Sequence, residues 1–270
     1  MRKLLKYDLK AVFRLWWIFS AAALAAGPLG GLCLRLLLRE DALRTPLWEN
    51  IVQSLGRAGV AVYGLALVAY GLGTFVLVIW RYYSHFFTDE GYLTFTLPVS
   101  RTALLGSKLL TALIFLAATL AVIGLSGFLF VTVAAFSPEY FAFLRGAFWQ
   151  LLEYSWSAEE LLFVIQGVLL SLAGAVLAIL YPFLCATLGS VIAKKQKLLA
   201  GIGLYFGGRM AASFVGQFFM IFLVFSAFEV FDTLRSLLVL EFIALLVVSG
   251  LAAGCWFWNL HLLKKKLNLS

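Results

Sequence analysis

Charge is what this sequence has least of. Asp, Glu, Lys and Arg make up 13% of the 270 residues, about half the roughly 25% of a soluble domain. So few charges cannot cover a globule of this size with a hydrated surface, which excludes a soluble fold. Cysteine is scarce as well. Cys33, Cys185 and Cys255 are odd in number, sit in apolar stretches and show no CxxC spacing. That excludes a disulfide scaffold, and they read as small apolar helix residues. His85 and His261 are the only histidines, so a HExxH zinc site is impossible. No GxxxxGK[ST] phosphate loop occurs, so the chain does not hydrolyse ATP by the P-loop route. No GxSxG occurs either. The chain is not expected to be an enzyme or to carry a cofactor of its own.

Apolar residues are what is there. They make up 63% of the chain, aromatics 16%, and the mean hydropathy is +1.00. A membrane-spanning helix needs roughly 20 apolar residues. Six stretches qualify, at 15–38, 58–80, 103–136, 161–192, 198–228 and 237–260. The expected fold is all-α, a single polytopic transmembrane domain of six helices over 1–270. The third, fourth and fifth stretches exceed one bilayer crossing, so they tilt, project or break. Glycines at 201, 203, 207, 208 and 216 suit a break in the fifth, a span followed by a re-entrant helix. Gly167 and Gly174 suit close helix packing in the fourth.

The net charge of +8 would suggest nucleic acid in a soluble protein. Its placement removes that reading. Fourteen of the 21 basic residues fall before the first span, in the second and fourth connections and in the C-terminal tail. Most acids fall on the opposite side: Glu40, Asp41, Glu49, Glu139, Glu153, Glu159, Glu160, Glu229 and Asp232. The positive-inside rule then places both termini in the cytoplasm, which an even number of spans requires. A basic start followed by an apolar run imitates a signal peptide. The apolar character resumes through 29–38, so cleavage is not expected.

Residues 1–14 read as an amphipathic interfacial helix on the inner leaflet. Leu5, Leu9, Val12, Phe13 and Trp16 recur at helical spacing, opposite Lys3, Lys6, Lys10 and Arg14. Plain topogenic charges explain the basic residues equally simply. Gly27-Pro28-Leu29-Gly30-Gly31 predicts a kink in the first span, functional or inert. The outer loop at 137–160 is aromatic and acidic and suits the outer interface.

The most specific stretch is the cytoplasmic loop at 81–102. Tyr82, Tyr83, Phe86, Phe87, Tyr92 and Phe95 crowd it, around the acidic Asp89-Glu90-Gly91. Ser100 is placed to cap the third span. Such a loop suits insertion into a groove on a soluble partner, or an interfacial aromatic belt with a turn.

The run Phe86-Phe87-Thr88-Asp89-Glu90-Gly91-Tyr92-Leu93-Thr94-Phe95-Thr96-Leu97-Pro98-Val99-Ser100, followed by Ser107-Lys108, resembles the first cytoplasmic loop of ABC-2-type ABC transporter permeases, six-span subunits common in Gram-positive bacteria. The resemblance covers about 30 residues of sequence pattern. It implies a permease of the bacterial plasma membrane, driven by a separate ATPase that holds ATP and Mg. Phe86, Phe87, Asp89, Glu90, Gly91 and Tyr92 would make the ATPase contact. It also implies a second permease subunit, identical or homologous, and a re-entrant helix after the fifth span. The transported substrate stays open.

Ionisable groups at membrane depth cost roughly 2.5–3.5 kcal/mol each on insertion scales and default to functional hypotheses. Arg209 lies near the middle of the fifth stretch, with Gln217 two turns on and Glu241 in the sixth. One reading is an Arg209–Glu241 pair, or a polar path lined by Arg209 and Gln217; the other is a structural charge held against backbone carbonyls or snorkelling to the interface. The alternative function is an ion- or proton-coupled secondary transporter, which needs coupling carboxylates near the midplane.

Overall fold

The structure is a computed structural model. It describes residues 2–38, 46–88, 99–193, 196–227 and 234–265, with side chains described in all of these but 2–3, 46–48, 215, 218–227, 234 and 265. Among the described residues the chain is all-helical. The helices are α1 (Arg2–Leu38), α2 (Pro46–Phe87), α3 (Arg101–Ala134), α4 (Pro138–Glu153), α5 (Ala158–Ile192), α6 (Lys197–Ala227) and α7 (Leu234–Lys265). Five contain windows long and apolar enough to cross a membrane: Leu4–Leu38, Glu49–Phe87, Arg101–Ala134, Ala158–Ile192 and Arg235–Lys264. This is the pattern of a multi-pass membrane protein. The remaining expected span, at 198–228, falls on α6, part of whose side chains lie outside the described residues.

Several expected boundaries move. The helix at 1–14 does not stand apart from the first span. Both belong to α1, which runs for 37 residues and continues through Pro28. Nothing at 11–16 favours a stop, and Val12 is buried while Lys6, Lys10 and Arg14 face outward. Phe13, expected on the apolar face, is 53% exposed. The stretch at 137–160 is not a loop throughout. Ser137 accepts from the Tyr140 N–H, Pro138 takes the first helical position, and α4 follows for 16 residues. Serine then proline is a helix-start signal.

The chain clusters into two compact units. One comprises Lys6–Val78 and Ile114–Ser155, the other Met1–Leu5, Ile79–Leu113 and Trp156–Ser270. In the first, α1 packs on α3 through its glycines. A Cβ on Gly27 would reach the Ser126 carbonyl, and one on Gly31 the Phe130 carbonyl. Small residues permit such backbone approach in apolar surroundings, where lipid supplies no hydrophobic drive between helices. The contact brings the Ser126 hydroxyl within 2.7 Å of the Ala23 carbonyl, to which it donates. Trp16 Nε1 donates to Thr119 Oγ1 at 3.0 Å. The Tyr63 ring stacks on Phe130 with centroids 4.6 Å apart.

In the second unit α6 and α7 pack on α5. Gly189 of α5 and Gly201 of α6 meet backbone to backbone. The Tyr181 ring seats over Gly208, and its hydroxyl donates to the Tyr205 carbonyl at 3.2 Å. The start of α5 carries a capping box. Ser157 Oγ accepts from the Glu160 N–H at 3.2 Å, and Glu160 Oε2 accepts from the Ser157 N–H at 2.8 Å. Ser157→Ala is expected to cost about 1 kcal/mol, read as a lower unfolding midpoint in mixed micelles. An unchanged midpoint would mean that α5 starts without help from this cap.

Candidate functional site

The candidate site is the base of the second unit, where α2 ends and α3 begins. Residues 81–87, expected in a loop, instead continue α2 to Phe87. Helical spacing then turns Tyr82 and Phe86 to one side, a turn apart. Both are swallowed by the unit, at 1% and 0% exposure. Phe86, expected at the ATPase contact, is buried in the core of this unit. The cost of leaving such rings in water is met by burial within the chain, without a partner. Phe87 is half-buried, and Thr88 caps its own turn by donating to the Ser84 carbonyl.

Tyr82 is the centre of this packing. Its ring stacks on Phe183 of α5 with centroids 3.9 Å apart and planes 6° from parallel, and meets Phe86 edge-on at 5.0 Å. Its hydroxyl lies 2.9 Å from Thr187 Oγ1 and donates to Asn259 Oδ1 of α7 at 3.2 Å. Thr187 Oγ1 is itself 2.9 Å from the same Oδ1. All three residues are buried, so each bond is made where water cannot compete. Among the described residues Asn259 Nδ2 has no partner. Burying such a donor is unfavourable, so the amide is kept at a cost that a leucine would avoid. One polar triangle thus ties α2, α5 and α7 together.

The far side of the gap is tied to the same helix. Ser100 Oγ accepts from the Ala103 N–H at 3.3 Å, as expected of a cap. Arg101 Nη1 donates to the Leu263 carbonyl at 2.6 Å. That carbonyl sits in the last turn of α7, where acceptors lack helical partners and a cation is favoured. Residues 89–98 are thus bracketed by two anchors, Tyr82 and Arg101, and both hold the final turns of α7. Asp89, Glu90, Gly91 and Tyr92, the other expected contact residues, lie outside the described residues.

The expected ion pair does not form. Among the described residues Arg209 and Glu241 share no salt bridge; Arg235 pairs with Glu159, at 2.9 Å. The reason is the rotation of α6. Gly201 and Gly208 turn toward α5, and Arg209 stands about a quarter turn round from them, beside Tyr181 of α5. Glu241 instead faces α5 and lies against Gly167, with Oε2 buried and unpartnered. Arg209 and Gln217 do share a face, together with Phe206, Met210, Ser213 and Phe214, around a shallow groove.

Thr187, Asn259 and the cap formed by Arg101 are parts of the candidate site that the residue pattern alone did not bring forward. Asn259 carried a visible signal, being a lone amide in an apolar run. Among the described residues no three His, Cys, Asp or Glu side chains converge to hold a metal. No protein-family model, curated protein or solved structure matches the chain.

Proposed function

We propose that the chain is the transmembrane permease subunit of an ATP-binding cassette transporter, most simply an exporter. A separate ATPase, carrying ATP and Mg, docks on the segment around residues 82–95. The observation that carries this reading is the bracketing of 89–98. The segment with the resemblance to permease coupling loops is short and anchored at both ends to α7, through Tyr82–Asn259 and Arg101–Leu263. A displacement of that segment would reach α5 and α7 through stiff contacts and would not dissipate in a loose loop. Absence of a phosphate loop from the sequence fits division of labour between two polypeptides.

In this reading α6 is a sixth span, both termini face the cytoplasm, and a second permease subunit completes the pathway in the bacterial plasma membrane. Asp89, Glu90, Gly91, Tyr92 and Phe87 supply the contact, and Phe86 holds its base from inside. The alternative, an ion- or proton-coupled transporter, draws support from Glu241, whose buried Oε2 lacks a partner.

The test is purification of the full chain from its own membranes in mild detergent. The expected result is a co-eluting subunit with a phosphate loop and Mg-dependent ATP hydrolysis. The double reversal Asp89→Lys, Glu90→Lys should lower recovery of that subunit at least tenfold. Substrate transport by the purified chain with no ATPase present would overturn the proposal.

A further inference from the structure

The groove on α6 has a composition that lipid alone does not explain. Arg209, Ser213 and Gln217 recur every four residues, a polar stripe down one face. Phe206, Met210 and Phe214 flank it, each at least 60% exposed. Arg209 lies about 18 Å along the helix from Lys197, so the guanidinium is far from either helix end. The stripe begins at Arg209, about a quarter turn round α6 from Gly201 and Gly208 and beside Tyr181 of α5, and runs to Gln217 on the side away from those glycines. Among the described residues Arg209 has no ion pair, and Glu241 is turned to Gly167. An exposed guanidinium in an apolar helix calls for a compensating anion, and the flanking side chains call for an apolar body.

We infer that this α6 face binds an amphipathic anion, a lipid-like molecule with one carboxylate or phosphate head and an aliphatic or aromatic tail, which reaches the site from the bilayer. Arg209 takes the head through its forked donors. Ser213 and Gln217 offer further polar partners along the stripe. Phe206, Met210 and Phe214 take the tail. Methionine and phenylalanine surfaces accept varied apolar shapes, so the site selects charge more strongly than tail structure. This deepens the permease reading by naming the substrate class, and its consequence for transport rests on that reading. The site itself does not.

Binding is therefore measured on the full chain alone, without ATPase, in nanodiscs of phosphatidylcholine. The probes are dansyl-undecanoic acid and its uncharged primary amide, followed by fluorescence. The acid is expected to bind about tenfold more tightly than the amide, the factor of one well-placed charge-assisted contact. Arg209→Gln should remove that preference, so that acid and amide bind alike, while Arg209→Lys keeps much of it. Gln217→Glu places a carboxylate two turns away and should weaken only the acid, which guards against a misfolded Arg209 variant. Equal binding of acid and amide by the wild-type chain would overturn the inference, as would an acid preference that survives Arg209→Gln. Either result leaves ATPase co-elution untouched, so failure here is distinct from failure of the permease reading.

Discussion

Tyr82→Ala is expected to lower the stability of the chain by about 3–5 kcal/mol, the range for deleting a buried aromatic ring. The side chain is 1% exposed and fills the space between Phe183, Phe86 and Asn259. Its loss opens a cavity and also deprives the Thr187–Asn259 pair of its third member. Tyr82→Phe separates the two contributions. The ring stays stacked on Phe183, and only the hydroxyl goes, for about 1 kcal/mol. Bonds of this kind within membranes average nearer about 0.6 kcal/mol, so the phenylalanine variant should stay well folded. Unfolding midpoints in detergent mixtures, measured on both variants, check this directly. Equal losses would mean that the hydroxyl network, not the stack, holds α2 to α5. On the proposed permease reading, the phenylalanine variant should still recruit an ATPase.

Gly189→Val is expected to be comparably severe, for the opposite reason. Here atoms are added where none fit. Even a single Cβ on Gly189 would press on the backbone N and Cα of Gly201 and on the Lys197 carbonyl, 2.8 Å away. Backbone cannot swing aside as a flexible side chain does. Overpacking typically costs about 1–3 kcal/mol, and separating α5 from α6 along this contact places valine at the upper end or beyond. Gly64 is the control, because a Cβ there meets nothing within 4 Å. Gly64→Ala should be neutral or stabilising, since alanine is the better helix former by about 1 kcal/mol. A tolerated Gly189→Val would contradict the close α5–α6 contact.

Much of the architecture was legible because apolar length is a strong signal. Stretches of 20 or more apolar residues have few alternatives to spanning helices, and five coincide with long apolar helices. Helix ends were less legible. Apolar content falls at Trp80-Arg81-Tyr82, which reads as the end of a span, yet backbone hydrogen bonding continues through Phe87 because nothing there breaks a helix. The Arg209–Glu241 pairing failed for a related reason. Depth along two helices can be counted from sequence, but their rotation is set by which small residues meet. Gly201, Gly208 and Gly167 fix that rotation, and one chain offers no way to rank its 23 glycines. The Tyr82–Thr187–Asn259 triangle joins residues 105 and 177 positions apart, a separation that no local pattern encodes.

The central claim is that a separate ATPase engages the segment between Tyr82 and Arg101. It is tested most directly by a photoreactive amino acid at position 90 of the full chain, irradiated in native membranes. A second such residue at Phe143 on α4, which is 70% exposed, serves as the comparison. The expected result is one crosslinked product from position 90, containing a protein with a phosphate loop, and none from position 143. A well-inserted chain that gives no such adduct from position 90, or the same adduct from both positions, would contradict the claim.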